Sequence, residues 1–407
     1  MTTKNNIPAG YKDSAVGIIP QEWEVFDFRD IASVSKDKYL PSTSSQIPCI
    51  ELEHLSQNDG ALLGYTEAKF QKSSKNIFKT GDVIFGKLRP YLRKYWLATF
   101  DGVCSSEIWV LNSKEEVCSN EYLYRLVSSD RFIQFANVSI GSKMPRADWD
   151  FVSITPFPVP PMAEQRKIAE ILDVWDEAIE KQSRLIEKLE LRKRALMQRL
   201  LTGRTRLPGF TTPWQKVSYS EILKEVKRNM TWDDNEEYDL ISVKRRSEGL
   251  FHRDRLLGKD IKTKNLRPAK FGDFLISKMQ IVHGASGLVT EEFDGMKISG
   301  SYIALVAKSR EKVDMNFINW YSQTPYFYHQ TYVSSYGVHI EKMTFDLESF
   351  MSMNIMLPPL PEQKAIAEVL TAADNEIATH RKKLDALRLQ KRGLMQQLLI
   401  GKTRVKI

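Results

Sequence analysis

Sliding the 407-residue sequence on itself by 198 positions lays Pro160–Arg206 on Pro358–Arg404 without a gap, and 22 of the 47 aligned positions are identical. About three identities would arise by chance, so the chain carries an internal duplication, the feature to be sought before any element assignment. The identities include both Pro-Pro pairs, Glu164-Gln165 with Glu362-Gln363, Ile168–Glu170 with Ile366–Glu368, and Gly203 with Gly401. The stretches upstream also correspond, more loosely and at an offset of 191: Trp23, Phe28, Asp30 and Ile31 fall on Trp214, Tyr219, Glu221 and Ile222, while Gly81-Asp82 and Lys87 fall on Gly272-Asp273 and Lys278. Each half is therefore a divergent region followed by a near-copied one, as expected of one scaffold presenting two different surfaces.

The copied segments have helical periodicity. Ile168, Leu172, Trp175, Ile179, Ile186, Leu189, Leu196 and Leu200 follow in steps of four and three, with Gln182 and Lys193 in the polar slots. The second copy repeats the pattern with Ile366, Leu370, Ala373, Ile377, Leu384, Leu387, Leu394 and Leu398, and with His380 and Lys391 in the matching slots. A heptad seam of about five heptads predicts a coiled coil rather than a helix lying on a sheet. Pro-Pro before the first turn and glycine after the last seam residue supply start and stop signals. Each rod, Glu164–Leu201 in the first copy, would be about 57 Å long. A parallel or an antiparallel pair is open on this pattern; an antiparallel one would set Gln182 opposite His380 in a polar layer that fixes register.

The divergent regions, about 150 residues each, read as mixed α/β domains. Candidate strands are Ile47–Leu52, Asp82–Phe85 and Ile108–Leu111, then Leu240–Val243, Asp273–Ser277 and Tyr302–Val306. Glu121–Ala136 and Asn316–Tyr332 read as single helices.

Composition excludes several classes. With 42% hydrophobic and 27% charged residues, the chain falls in the globular range. Cys49, Cys104 and Cys118 form no CxxC pair, and the reading is three reduced thiols. The first ten residues lack the apolar stretch of a secretory signal, and the uncharged run Val152–Ala163 contains four prolines and is too short to span a bilayer. A cytoplasmic protein without membrane attachment is expected.

The search for catalytic chemistry is mostly negative. Gly401-Lys402-Thr403 has Gln396 where a phosphate loop needs its first glycine, and no GxGxxG follows a strand. The Pro-Pro pairs sit in Val-Pro-Pro-Met and Leu-Pro-Pro-Leu, not in the Asn- or Asp-Pro-Pro-aromatic motif of a nucleic-acid amino-methyltransferase. The six histidines lack metal-ligand spacing, and Glu225 with Lys227 alone does not make a nuclease. The expectation is a non-catalytic chain with no cofactor or metal of its own.

Charge is more informative when localised. The formal net charge of +8 distributes as −1 over residues 1–162, +3 over 163–206, +1 over 207–360 and +5 over 361–407. Within the nearly neutral domains, however, Lys69–Lys94 holds eight basic residues against one acid, and Ser242–Lys278 eleven against four. Basic residues interleaved with aromatics suit phosphate contacts and base-edge readout.

The Gly-x-Ile-Pro-x-x-Trp at Gly17–Trp23, the run from Gly81 to the Lys-Leu-Arg-Pro ending at Pro90, and the Pro-Pro-x-x-Glu-Gln-x-x-Ile-Ala-x-x-Leu boxes at Pro160–Leu172 and Pro358–Leu370 resemble the specificity subunits of type I DNA restriction-modification enzymes over essentially the whole chain. The second half departs from the pattern, since Met279-Gln280-Ile281 follow Lys278 in place of Leu-Arg-Pro. The resemblance implies an α+β chain: recognition domain 1 over residues 1–160, a spacer helix over 161–206, recognition domain 2 over 207–358 and a second spacer helix over 359–407, the helices forming an antiparallel coiled coil. It implies a non-catalytic subunit reading a split double-stranded DNA target, one half-site per domain. The helices would dock two modification subunits that methylate adenine with S-adenosylmethionine, joined by restriction subunits that use ATP and Mg. Candidate DNA contacts are Lys69, Lys72, Lys75, Lys79, Lys87, Arg89, Lys143, Arg146, Lys244, Arg245, Arg246, Lys278, Gln280 and His283. Lys87 and Lys278 occur in both halves and suit phosphate; the unmatched Lys143, Arg146, Gln280 and His283 suit base reading.

Overall fold

Proline cannot continue a helix backwards, and in the computed structural model, which describes residues 7–44, 46–138 and 144–407, both Pro-Pro pairs fall immediately before long helices, Met162–Leu200 and Leu360–Leu399. Gly203 and Gly401 terminate them in the left-handed region, at φ +68° and +72°. The chain divides into two compact units, Met1–Ser183 with Lys382–Ile407, and Arg184–Arg381. Each unit contains one divergent domain and a stretch of both long helices.

In unit 1 the domain is built on two sheets. An antiparallel four-stranded sheet runs Tyr95–Leu97, Val83–Gly86, Ile108–Ser113, Ala32–Val34; a five-stranded sheet runs Lys38–Tyr39, Lys75–Phe78, Gly102–Cys104, Pro48–Ile50, Thr66–Glu67, with one parallel pair, Gly102–Cys104 beside Pro48–Ile50. Unit 2 repeats the plan. Its antiparallel sheet runs Leu223–Glu225, Tyr302–Ala307, Phe274–Ser277, Ser286–Leu288; a second sheet runs Leu250–Leu257, Glu237–Val243, Lys297–Ser299, Leu266–Pro268, again with one parallel pair, Glu237–Val243 beside Lys297–Ser299. The strands expected from the sequence all lie on observed strands, shifted by a few residues at their ends.

The two expected domain helices are each broken into two. Asn120–Ser128 and Asp130–Ala136 are separated by Ser129, extended at φ −71° and ψ 153°, whose hydroxyl caps Phe132 N–H. Met315–Tyr321 and Pro325–Val333 are separated at Thr324, which caps Phe327 N–H while Pro325 at the first helical position lacks a donor. Local capping offers the backbone an alternative to continuing the helix, and it wins at both sites.

Apolar periodicity places the long helices against the domains as well as along each other. In unit 1, Ile168, Leu172, Met395, Leu398 and Leu399 are buried in one cluster with Trp23, Phe28, Phe132 and Phe157. In unit 2, Leu200, Leu201, Ile366 and Leu370 share a cluster with Tyr219, Phe274, Phe317 and Phe350. Packing on a sheet domain at the helix ends differs from the expectation of a bare helix pair: the large aromatic clusters supply an apolar wall that a sequence period does not reveal. Ile179, Gln182, Ile186, Leu189, Ile377 and Leu384 are also buried, while Trp175, Leu196, His380, Leu387 and Leu394 are partly exposed.

Two of the polar seam slots, Lys391 and Lys193, hold ion pairs. Lys391 meets Asp176 in unit 1, and Lys193 meets Asp374 in unit 2, where Arg192 also meets Glu376 and Arg381 reaches Glu190 at 2.5 Å. The partners of Lys391 and Lys193 are matched residues of the duplication, each lysine taking its carboxylate from the other copy. Within unit 2 the paired numbers rise along one helix as they fall along the other, an antiparallel register for that stretch.

Candidate nucleic-acid interface

A strand that must hand its chain to a turn leaves backbone groups to be satisfied there, and the two units satisfy them in the same way with different side chains. In unit 1, after Val83–Gly86, Lys87 N–H donates to Glu107 C=O at 2.9 Å and Lys87 C=O accepts from Ala147 N–H at 2.8 Å. In unit 2, after Phe274–Ser277, Lys278 N–H donates to Ser301 C=O and its C=O accepts from Phe345 N–H, both at 2.9 Å. A 3₁₀ turn follows in each, Pro90–Leu92 or Ile281–His283. The hydrogen-bond frame of the lysine is therefore shared, but the turn after it departs in backbone as well as side chain: Gln280 and Ile281 align with Arg89 and Pro90, and Gln280 has φ −128° where Arg89 is left-handed. At the far end of the turn, Arg93 (φ +51°) matches Gly284 (φ +74°), and Arg89 is also left-handed at φ +53°. Left-handed non-glycine residues are uncommon and cost free energy. Two in five residues around an exposed Tyr91 make this turn an expensive construction.

The structure brings several unit 1 candidates together. Arg89 N–H donates to Pro145 C=O at 2.8 Å, Leu88 bridges Arg146, and Arg146 Nε donates to Glu107 at 2.8 Å, so Lys87, Arg89 and Arg146 form one cluster. Arg89 and Arg146 are exposed and Lys87 partly so. Lys143 lies outside the described residues. The other lysines sit apart from that cluster in sequence: Lys69 pairs with Glu67 beside Phe70, Lys79 with Asp101, and Lys72 is exposed. Lys75 requires a correction. It is 3% exposed, with its ammonium 2.6 Å from Glu51 and 3.1 Å from Gln71, so a phosphate could reach it only by breaking a buried pair.

In unit 2, Lys244, Arg245 and Arg246 form the tip of the hairpin Glu237–Val243/Leu250–Leu257 and are exposed. Arg246 N–H donates to His283 C=O at 2.7 Å and Ser247 N–H to Gly284 C=O at 2.9 Å, which docks the hairpin on the Lys278 turn. Arg246 and Ser247 are left-handed, and Ser247 Oγ meets the Tyr328 hydroxyl at 2.8 Å. Lys244, Arg245, Arg246, Lys278, Gln280 and His283 thus share one surface. Glu341, absent from the sequence reading, sits among them, 2.9 Å from Arg245 and 3.2 Å from His283 Nε2. Gln280 Oε1 and Ser286 Oγ are buried without a hydrogen-bond partner among the described residues, and His283 Nε2 has only its ion-pair contact with Glu341. Such atoms within seven residues depart from ordinary saturation of buried polar groups. Tyr91 and Arg93 lie inside the basic and aromatic stretch Lys69–Lys94 without being among the candidate contacts, whereas nothing local in the sequence marks Glu341.

The copied boxes have a structural job. Glu164 and Glu362 are each 0% exposed. Glu164 accepts from Trp23 Nε1 at 2.9 Å and from Arg404 at 2.8 and 3.0 Å; Glu362 accepts from Trp214 Nε1 at 3.1 Å and from Arg206 twice at 2.5 Å. Hydrogen bonding to the carboxylates holds both arginines above their usual pKa. Gln165 and Gln363 donate to the Pro160 and Pro358 carbonyls and, respectively, to Val117 and Lys312 carbonyls. Glu-Gln is therefore copied because it fastens each helix start to its domain.

Among the described residues no group of three or more His, Cys, Asp or Glu side chains could hold a metal ion, and no helix is long and apolar enough to cross a membrane.

The profile of the type I restriction modification DNA specificity domain matches residues 20–191 and 212–389. The chain is 25% identical over 434 aligned residues to a putative type I restriction enzyme MjaX specificity subunit of Methanocaldococcus jannaschii, covering 97% of each. It is 29% identical over 178 residues to the type I restriction enzyme EcoDI specificity subunit of Escherichia coli, a match spanning 42% of this chain and 39% of that one. A solved chain from a study of complex assembly and conformational transition of the type I R-M system superposes with a TM-score of 0.62 at 19% identity, covering 95% of this chain and 99% of that one, a likeness of fold.

Proposed function

This chain belongs to the type I restriction modification DNA specificity family, and from that premise we propose that it reads a bipartite DNA target through two recognition domains, one half-site each. The carrying observation is the matched turn: one backbone frame and one lysine in both units, Lys87 and Lys278, surrounded by different side chains. A common phosphate contact with divergent base contacts is what two unlike half-sites require. The domains extend over residues 1–160 and 207–358, and residues 161–206 and 359–407 form an antiparallel coiled coil that spaces them. The reciprocal ion pairs of the helices support this register. Two modification subunits dock on the helices, where Val174, Leu191 and Leu389 are exposed at 65%, 58% and 71%. Those subunits bring S-adenosylmethionine and methylate adenine; restriction subunits add ATP, Mg and cleavage. The chain itself does no chemistry, works in the cytoplasm and is required for both modification and restriction. Co-expression with its modification subunit and sequencing of methylated adenine tests the proposal. One split sequence with a fixed spacer is expected, and replacing residues 207–358 by those of a relative should change one half-site only. A continuous methylated sequence, or methyl transfer by this chain alone, would overturn it.

A further inference from the structure

Between the paired strands Ser335–Tyr336 and Thr344–Phe345 of unit 2, the chain makes a closed loop whose every second residue from 336 to 340 is a large exposed apolar group: Tyr336 at 65%, Val338 at 93% and Ile340 at 51%. Isolated exposed apolar side chains are ordinary, whereas a run of them at a loop tip marks a surface that something covers. The loop is held firmly. Lys342 N–H donates to His339 C=O at 2.8 Å, and a Cβ on Gly337 would stand 2.9 Å from Met343 Cα, so the backbone is closed tightly there. Glu341 ties it to Arg245 and His283, on the surface already described, and its exposed neighbours Lys244, Arg245, Arg246 and Lys342 are basic. An apolar tip tied through Glu341 to an exposed Lys244-Arg245-Arg246 run fits a polyanion whose interior is apolar.

We propose that Tyr336, Val338 and Ile340 enter the DNA at the half-site read by unit 2 as an apolar wedge between base steps, the exposed cations of the linked hairpin tip, Lys244 to Arg246, holding the flanking phosphates. The inference rests on the reading that this chain binds DNA. Apolar side chains pressed between stacked bases unstack them and trade that cost for a closer fit of protein on the duplex. Because the wedge residues are exposed, substituting them leaves the fold intact.

The test uses the full chain with its modification subunit and a duplex carrying the mapped methylation site, with 2-aminopurine placed in turn at each step of both half-sites. Apart from the target adenines that the modification subunits flip in both half-sites, the wild-type complex should raise fluorescence at one further step, in one half-site only. The double variant Val338→Ser, Ile340→Ser should bind that duplex about tenfold more weakly, abolish the fluorescence rise at that further step and keep the same salt slope, since no charge has changed. Fluorescence that is flat at every step but the target adenines with the wild-type complex, or unchanged affinity and fluorescence in the variant, overturns the wedge. So does a variant that binds DNA normally but no longer retains the modification subunit, which assigns the loop to a protein contact. A wild-type complex with no salt-dependent binding to any duplex sinks the DNA-reading proposal itself, a distinguishable outcome.

Discussion

Replacing Glu164 by Ala removes the acceptor on which Trp23 and Arg404 converge. Trp23 is 0% exposed, and its indole N–H would lose its 2.9 Å partner, a cost of about 1–3 kcal/mol for a buried donor left unsatisfied. The two Arg404 bonds count for less, because that side chain is 35% exposed, still reaches Glu22 at 3.0 Å and rehydrates; about 1 kcal/mol is a fair share. With the small cavity left by the missing carboxyl, the sum is about 3 kcal/mol. For a unit of this size each kcal/mol moves the melting temperature by about 2–4 °C, so a drop of roughly 6–12 °C is expected. Scanning calorimetry of the full chain measures it. Glu164→Gln retains an oxygen for the indole and should lose about half as much. A shift below about 2 °C for Glu164→Ala, or equal shifts for the two variants, would refute the claim that this carboxylate fastens the helix to its domain.

Lys278→Ala should weaken binding to all duplexes alike and reduce the salt slope by about one, measured by titration at several salt concentrations; loss at one base pair only would make Lys278 a base reader. Asp130 is desolvated by burial, yet the guanidinium groups of Arg392 and Arg93 hold its carboxyl below the usual range. A depressed folded pKa stabilises above the unfolded value near 4 and is lost as pH falls through the folded value, so the urea midpoint should decline from pH 6 to pH 3, and Asp130→Asn should flatten that decline. Gly401→Ala combines φ +72° with a Cβ 2.4 Å from Pro20 Cδ, whereas Gly203→Ala meets Trp214 at 3.5 Å; the first should cost clearly more in denaturant titration, by about 1–2 kcal/mol or more. Cys49, Cys104 and Cys118 are fully buried, and burial pushes their thiols up, Cys49 to about 11. Iodoacetamide at pH 8 should label them only after denaturant is added, followed by mass spectrometry.

What the sequence disclosed was what repeats locally. The heptad steps located both long helices because a helix displays its buried face every three or four residues, and the match of Lys87 with Lys278 located one backbone frame despite the changed side chains. Pairings across the copies were hidden. Glu164 and Arg404 lie 240 residues apart, and no count of either residue links them. Charge counting placed Lys75 on the surface because its partner Glu51, 24 residues away on another strand end, carries no local signal. The helix breaks were legible in principle, since Ser129-Asp130 and Thr324-Pro325 are start signals, but the apolar run across each outweighed them. The His283–Glu341 proximity depends on a loop docking on a turn 58 residues earlier, a tertiary fact alone.

Tyr11 OH donates to Gly401 C=O at 3.0 Å, and Arg404 completes the Glu164 site, so the unit that contains the first residues is finished by the last ones. Unit 2, a single unbroken stretch from Arg184 to Arg381, has no such debt. Unit 2 thus has all its segments once residue 381 is made, while in unit 1 the buried Glu164 carboxylate, already bonded to the Trp23 indole, lacks its Arg404 partner until the second long helix is complete.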